Sequence, residues 1–566
     1  MGKHTYIVSN MTYSFDIFDT CLCRLCGEPN NLFDVLSLKV QDKLGTKCNE
    51  QLRQYFVATR TNIRGHSLTE IYQQVAAVFP LPCSTEEMVQ MELEVEREML
   101  VPILATQKLV NNLRRKGKIM FISDMYLPKY FLQEQLTHNG FFQEGDILYV
   151  SDTVGAWKHD GSLFRLIHDR ERIKYSQWHH YGDNRNSDYV VPKKMGINAH
   201  HLCYNYLPYE KQWMTYCFST SYPYPSIASG VSRAIRLRGT ENEYQKKYVS
   251  NITAPLITAW TTQVLHDAAL RKIKRVYFCA RDMHTHYLVA KSLNSFFPNV
   301  EPKYLYISRE SLNEQNRDCS IKYFIQEGLL SHERCAIADS RTSGLTLTII
   351  NQLAKEHGLN DVFGYFQGSD TNNISNPLPY CTNSNTTILH QYIGSNRWES
   401  YIYGILIEKV QSINCTTRTK SYIEKNGLMV PSFDESKGTW EINDFEEMKK
   451  GNDNLSINYA RAFFYTGLSR YCHQLLERLF IPTLINFSIF PEKEYLPYLS
   501  NIKIYGKPFV GRISPFKNIN TWRRASIIYT LPTPLAVFYH YLFTKRRDGS
   551  SGFLISLFGR LVKKTV

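Results

Sequence analysis

Short runs of apolar and β-branched residues that end in polar clusters alternate along this chain with amphipathic stretches, the pattern of an α/β protein. Residues 11–18 read as a buried strand that opens at Asp16-Ile17-Phe18-Asp19-Thr20. A second buried strand, Lys118–Ile122, ends in Ser123-Asp124 and follows a Lys- and Arg-rich helix over Gln107–Arg115. Further on, Lys158 lies in a polar loop, and His180-Tyr181 leads into Gly182-Asp183-Asn184-Arg185-Asn186-Ser187-Asp188. Between the first two strands the spacing predicts helices over Leu32–Lys43, Gln51–Arg64, Leu68–Val78 and Thr85–Met99. Ser84, followed by Glu86 and Glu87, has the composition of a helix start.

A Pro- and Tyr-rich stretch at 207–225 marks a linker, placed at 206–234 between a first domain (1–205) and a second α/β domain (235–400). In the second domain the pattern predicts strands at Lys274–Ala280, Lys303–Ile307, Arg334–Ala338 and Asp361–Phe366, with helices at 283–296 and Gly344–Glu356. Residues 401–566 read as mainly helical, with an aromatic face over Leu455–Phe480. Ala525–Thr544 carries no charge and has the length of a bilayer span. Pro532, Pro534 and His540 interrupt it, and both flanks are basic. Gly552–Lys564 is short, apolar and basic, as an interfacial helix is.

Composition narrows the class. A chain of 566 residues is too long for one core. With 43% apolar and 21% charged residues, it is neither disordered nor a multi-span membrane protein. The formal charge of +14 suits phosphorylated ligands or an anionic membrane surface. The basic residues are not clustered with a nucleic-acid-reading motif, which argues against that partner. Thirteen cysteines without regular spacing indicate reduced thiols in a cytoplasmic setting, and the N-terminus has no apolar core of a secretory signal. Cys21, Cys23 and Cys26 form the one cluster, either buried thiols or the seed of a metal site.

An Asp-led first motif, a Ser second motif, a lone Lys third motif and a G-D-x-x-x-x-D fourth motif occur in order over residues 12–200. In this the chain resembles the haloacid dehalogenase (HAD) superfamily, and the wording FDIFDT, FISDMYL and GDN-x-x-SD is most similar to members associated with capsule and lipopolysaccharide biosynthesis. The resemblance implies a Rossmann-like parallel sheet with a helical cap inserted at 26–105. It implies Asp16 as carboxylate nucleophile, with Ser123 binding phosphoryl oxygens and Lys158 neutralising charge. It also implies a Mg2+ ion held by the Asp16 carboxylate, the Phe18 backbone carbonyl, Asp183 and Asp188, the last either a ligand or a partner of one. The physical need is general, since a carboxylate attacking a phosphate ester requires a cation to screen both.

One position departs from the phosphatase pattern. The acid/base Asp two residues after the nucleophile is replaced by Phe18, and the next acid is Asp19. Loss of a general acid/base typically costs ~10²–10⁴ in rate. Three outcomes stay open: Asp19 substitutes through altered turn geometry, the domain transfers a group without that acid, or it binds phosphorylated ligands with little turnover. Dehalogenases of the superfamily also lack this Asp.

In the second domain the strand ends carry Arg281-Asp282, Arg309 and the segment Asp339-Ser340-Arg341-Thr342-Ser343-Gly344. The last is similar to the phosphoribosyl pyrophosphate loop of phosphoribosyltransferases, although Ala338 replaces one acid and Leu345 one glycine. Arg281, Asp282, Arg309, Asp339, Ser340, Thr342, Ser343 and Gly344 therefore define a candidate phosphate or sugar site, or plain helix capping.

Together these readings predict a HAD-like, Mg2+-dependent hydrolase or phosphotransferase acting on phosphorylated sugars or surface-polysaccharide precursors. It would be cytoplasmic, with peripheral contact at the inner face of the membrane through 525–566 and glycosyltransferases as partners. The alternatives are a non-enzymatic phosphate-binding or assembly protein for glycan synthesis, and a glycosyl or phosphoribosyl transferase in the second domain.

Overall fold

A computed structural model describes residues 11–45, 49–216, 218, 220–342, 344–369, 386–388, 418–433 and 445–484. The chain is α/β and divides into two compact units, Met1–Thr240 with Ala462–Tyr471, and Glu241–Arg461 with Cys472–Val566.

In the first unit β1 (Thr12–Phe15) is buried along its whole length. It pairs in parallel with β4 (Lys118–Ser123) on one side and β6 (Trp178–Gly182) on the other. With β5 (Ile147–Val150) and β7 (Asn198–His201) the sheet order is β5-β4-β1-β6-β7. A strand covered on both faces favours an unbroken apolar run, as in Ile119–Ile122 of β4, while β1 also buries Thr12 and Ser14. The chain builds outward from β1 in one direction and then returns to its other side. That reversal opens a crevice at the carboxyl ends of the strands, where ligands bind in open parallel sheets. Asp16 stands at that end of β1, its backbone N–H bonded to the Tyr181 carbonyl at 2.9 Å.

Two short antiparallel strands, β2 (Leu22–Arg24) and β3 (Leu100–Pro102), form a stem just beyond this turn. The helices Asn31–Leu44, Glu50–Asn62, Leu68–Val78 and Thr85–Met99 lie between them in the chain. Three have side-chain caps at Asn49, Ser67 and Ser84, and Ser84 with Glu87 makes a complete capping box. Their interior is not purely apolar. Arg60 donates two hydrogen bonds to Glu92, at 2.8 and 2.7 Å, and Tyr72 adds a third at 2.6 Å. Both members of this ion pair are buried, so neither can lose its partner cheaply.

The stretch read as a linker is folded. Pro208–Met214 and Tyr224–Arg238 are helices, each with a proline in its first turn, where proline favours a helix start. The second packs backbone to backbone on the end of the stem: a Cβ on Gly230 would lie 1.9 Å from the Cys26 carbonyl carbon. Residues 462–471 also belong to this unit, with Tyr471 stacked on Tyr222 at 4.9 Å between centroids.

The second unit has another five-stranded parallel sheet, β8 (Arg275–Cys279), β9 (Glu301–Leu305), β10 (Cys335–Thr342), β11 (Phe363–Ser369) and β12 (Thr386–Ile388), in the order β12-β11-β10-β8-β9. One face packs Tyr277, Ile337 and Phe366 against Phe324, Leu347 and Ile350 of the helices Arg317–Glu327 and Leu345–Glu356. The region read as mainly helical from 401 contains an antiparallel hairpin, β13 (Thr419–Lys425) and β14 (Leu428–Phe433), before the helix Phe445–Tyr465. Tyr422 anchors that hairpin by stacking on Tyr323 at 4.2 Å. Among the described residues no helix is long and apolar enough to cross a membrane, and 525–566 lies outside them.

Candidate active site

Three carboxylates meet where β1 and β6 end. Oxygens of Asp16, Asp183 and Asp188 lie within 4.8 Å of one another. Between them sits a buried cation: Lys158 Nζ is 2.5 Å from Asp16 Oδ1 and 2.7 Å from Asp188 Oδ1. The lysine loop is fixed by a residue the sequence reading gave no role. Both oxygens of Asp124, just past β4, accept the Lys158 backbone N–H at 3.1 and 3.0 Å. Ser123, 2% exposed, ends β4 beside β1.

The fourth motif explains its own glycine. Asp188 folds back under Gly182, where an added Cβ would lie 2.4 Å from the Asp188 Cγ. Asp188 Oδ2 accepts the Asn184 N–H at 3.0 Å, and Oδ1 faces His180 Nε2 at 3.2 Å.

Burial and proximity set the charges. Burial, then the neighbouring Asp188 and Asp183, push Asp16 up to about 8 against the pull of Lys158. Burial with Asp19 and Asp188 nearby pushes Asp183 up to about 6. For Asp188 the cost of burial is outweighed by Lys158 and His180, and its carboxyl is held well below the ordinary range. Of the two carboxylates that share Lys158, Asp188 has the more donors, which favour its charged form. Burial would lower Lys158, but Asp16 and Asp188 outweigh it and hold the ammonium charged. Burial also holds His180 below its usual range.

Three hard oxygen ligands with more negative charge than one lysine balances suit a divalent cation. The residues present therefore fit magnesium, with Asp16, Asp183 and Asp188 as the side chains to hold it. The thiols of Cys21, Cys23 and Cys26 are buried and pushed up by burial, Cys23 to about 12, so they stand as protonated core residues.

Phe18 and Asp19 occupy the turn after Asp16. The Arg24 guanidinium lies over the Phe18 ring, 4.3 Å from its centroid. Asp19 has φ +55°, so the backbone has left the strand and an alternation argument no longer says where its side chain points. Its carboxylate accepts from Arg233 Nη1 at 2.6 Å, and Arg233 Nε donates to the Tyr204 carbonyl at 3.1 Å. Arg233 comes from the segment read as a linker and no local signal marks it.

The second sheet reverses direction between β8 and β10, and most of its predicted site residues follow those strands. Burial raises the Cys279 thiol, as do the nearby charges of Asp339 and Asp282. Tyr304 Oη reaches the Arg281 carbonyl at 3.5 Å, while Arg309 lies in the turn between Ser308 and Ser311. The segment expected as a phosphate loop begins inside a strand. Strand β10 runs on through Thr342, pairing Asp339 with Phe366 and Thr342 with Ser369. Gly344, with φ +88°, makes the turn into the helix. The Gly344 N–H is taken by Thr342 Oγ1 at 3.0 Å, Ser340 is 3% exposed, and Ser343 lies outside the described residues.

No protein-family model matches the chain, and no curated protein matches its sequence. Solved structures similar to part of it include a HAD phosphatase from Thermococcus onnurineus, 22% identical, covering 34% of this chain and 87% of that one with a TM-score of 0.27. A putative HAD-hydrolase from Bacillus subtilis bound to magnesium is 14% identical over 33% of this chain and 86% of that one, TM-score 0.26. A putative beta-phosphoglucomutase from Thermotoga maritima is 17% identical over 34% and 87%, TM-score 0.26.

Proposed function

We propose that the first unit is a magnesium-dependent phosphoryl-transfer enzyme with Asp16 as nucleophile. The observation that carries this is the Lys158 ammonium shared by Asp16 and Asp188, with Asp183 in the same cluster. Bound magnesium would supply the positive charge that lets a carboxylate approach a phosphate ester. Lys158 holds Asp16 Oδ1 and leaves Oδ2 outside that hydrogen bond. In the transfer step an Asp16 oxygen bonds to phosphorus as the bond to the leaving oxygen breaks, the electron pair departing with that oxygen. Ser123 would donate to the transferring phosphoryl oxygens, and Lys158 would offset their charge.

The leaving oxygen takes its proton from solvent, because Phe18 has none to give. The Asp19 carboxylate is turned to Arg233, from which it accepts a hydrogen bond. This favours slow hydrolysis or transfer to a second acceptor over efficient phosphatase turnover. The substrate class we propose, phosphorylated sugars or related precursors of surface polysaccharide, rests on the wording of the three motifs. Turnover of a phosphosugar panel with magnesium, beside Asp16→Asn, tests the reading. Equal inactivity of both proteins with retained ligand binding would leave a binding role.

A second reading, ligand binding in the second unit, is favoured by one observation. Ser340 Oγ, His286 Nδ1 and Gln367 Oε1 are buried without a hydrogen-bond partner at the carboxyl ends of β10 and β11. His286 Nε2 and Gln367 Nε2 are 2.9 Å apart. Calorimetric titration with UDP-glucose and with phosphoribosyl pyrophosphate, wild type against Gln367→Leu, tests it. Binding of either that the variant loses would support the reading.

A further inference from the structure

Behind the carboxylates, on the two central strands, three side chains of 0% exposure form a one-way hydrogen-bond chain that ends on Asp188. Trp178 Nε1 lies 2.7 Å from Ser14 Oγ, and an indole N–H can only donate. Ser14 Oγ lies 2.7 Å from His180 Nδ1, with the His179 carbonyl farther off at 3.4 Å. Having accepted from Trp178, Ser14 gives its own proton to Nδ1. The imidazole then carries its hydrogen on Nε2, 3.2 Å from Asp188 Oδ1. The opposite tautomer would leave Ser14 only the longer bond to the His179 carbonyl for its own proton and turn the Nε2 lone pair toward a carboxylate oxygen. The ring of Phe164 meets both aromatic links edge-on, at 5.7 Å from Trp178 and 5.0 Å from His180, so neither can rotate away.

Asp188 thus has every donor assigned: Lys158 and His180 on Oδ1, the Asn184 N–H on Oδ2. We propose that Ser14 and His180 are positioning residues, and that the Trp178–Ser14–His180 chain fixes the Asp188 carboxylate and so the geometry of the cation site. The inference rests on the reading of Asp16, Asp183 and Asp188 as that site. The chain's own direction does not depend on it. Outer partners that orient a metal ligand are typically worth ~10–100-fold in metal affinity.

The test is Mn2+ binding, followed by electron paramagnetic resonance, to the full chain and to His180→Phe, His180→Gln and Ser14→Ala. Oxygen sites of this kind accept manganese in place of magnesium. The expected result is affinity lowered ~10–100-fold by His180→Phe, lowered less by Ser14→Ala, and restored to within a few fold by His180→Gln, whose amide N–H can replace Nε2. Wild-type affinity in folded His180→Phe would overturn the proposal. A merely structural role would lower thermal stability in both His180 variants without this split in affinity. Independently of any metal, 15N NMR of the wild-type protein should show His180 as the Nε2–H tautomer. An Nδ1–H tautomer would overturn the proposal even if the variants fail to fold. Absence of Mn2+ binding by wild type, with the Nε2–H tautomer present, would instead count against the cation site itself.

Discussion

Arg233 donates to Asp19 across 2.6 Å, and this pair decides what the acid next to the missing acid/base position can do. An acid/base group must exchange its proton in each turnover, whereas a carboxylate bonded to a guanidinium is stabilised as the anion. Asp19→Asn is therefore expected to keep turnover within about 10-fold of wild type, against the ~10²–10⁴ loss for removal of a true acid/base. Steady-state rates on the best phosphosugar decide it. A loss of 100-fold or more in a folded variant would return Asp19 to the catalytic role.

Lys158 balances two buried carboxylates at once. Lys158→Met should destabilise the metal-free protein by about 3–5 kcal/mol, because uncompensated buried charge remains. Magnesium should recover part of that loss, and turnover should fall by ~10² or more. Urea denaturation with and without magnesium measures the first two effects.

The same carboxylates make stability depend on pH. Asp16 and Asp183 are raised from the ordinary 3.8 to about 8 and about 6 in the metal-free fold. A carboxyl raised on folding contributes stability that is full below 3.8 and lost as pH rises through its folded value. The contribution of Asp16 and Asp183 to the stability of the metal-free protein should therefore fall between about pH 4 and pH 8, against the opposite trend below 6.5 from His286, which burial holds down at about 3, and the stabilisation by magnesium should grow over that window as its ligands deprotonate. Asp34, raised by burial to about 6, acts in the same direction at the lower end. The difference between wild type and Asp16→Asn isolates the site. Thermal melts across this range, with and without magnesium, read both trends.

The cap helices depend on the Arg60–Glu92 pair, which is buried at both ends. Glu92→Leu and Arg60→Leu should each cost about 3–5 kcal/mol, and the double variant should cost less than their sum, because no unpaired charge remains. Denaturant midpoints of the four proteins complete the cycle. Strict additivity would mean the two groups do not stabilise each other.

Much of this site could be read from sequence because its strands are short runs rich in apolar and aromatic residues that end abruptly in acids or a hydroxyl. The polar residues at positions 16, 123 and 183 stand out against such runs. Lys158 comes from a loop and Asp188 from the short helix Arg185–Val190, and only their place among the other motifs singled them out. What the sequence concealed has physical reasons. Ser14 and His180 are polar residues inside strands, and only the folded sheet shows them bonded to each other. Arg233 reaches Asp19 across 214 positions from a helix whose Pro- and Tyr-rich approach resembled a linker. In the second unit, Asp339–Thr342 read as a loop because its side chains are polar, yet Phe366 and Ser369 on β11 draw it into the ladder. Local polarity predicted exposure there, and strand pairing overrode it.

The central claim is that Asp16 takes up phosphate. Incubation of the full chain with acetyl phosphate and magnesium, acid quench, borohydride reduction and peptide mass spectrometry test it most directly, because reduction of an aspartyl phosphate leaves homoserine. The account predicts homoserine at position 16 in wild type, none without magnesium and none in Asp16→Asn. Phosphate released from the donor with no conversion at position 16, or with conversion at another carboxylate, would contradict it.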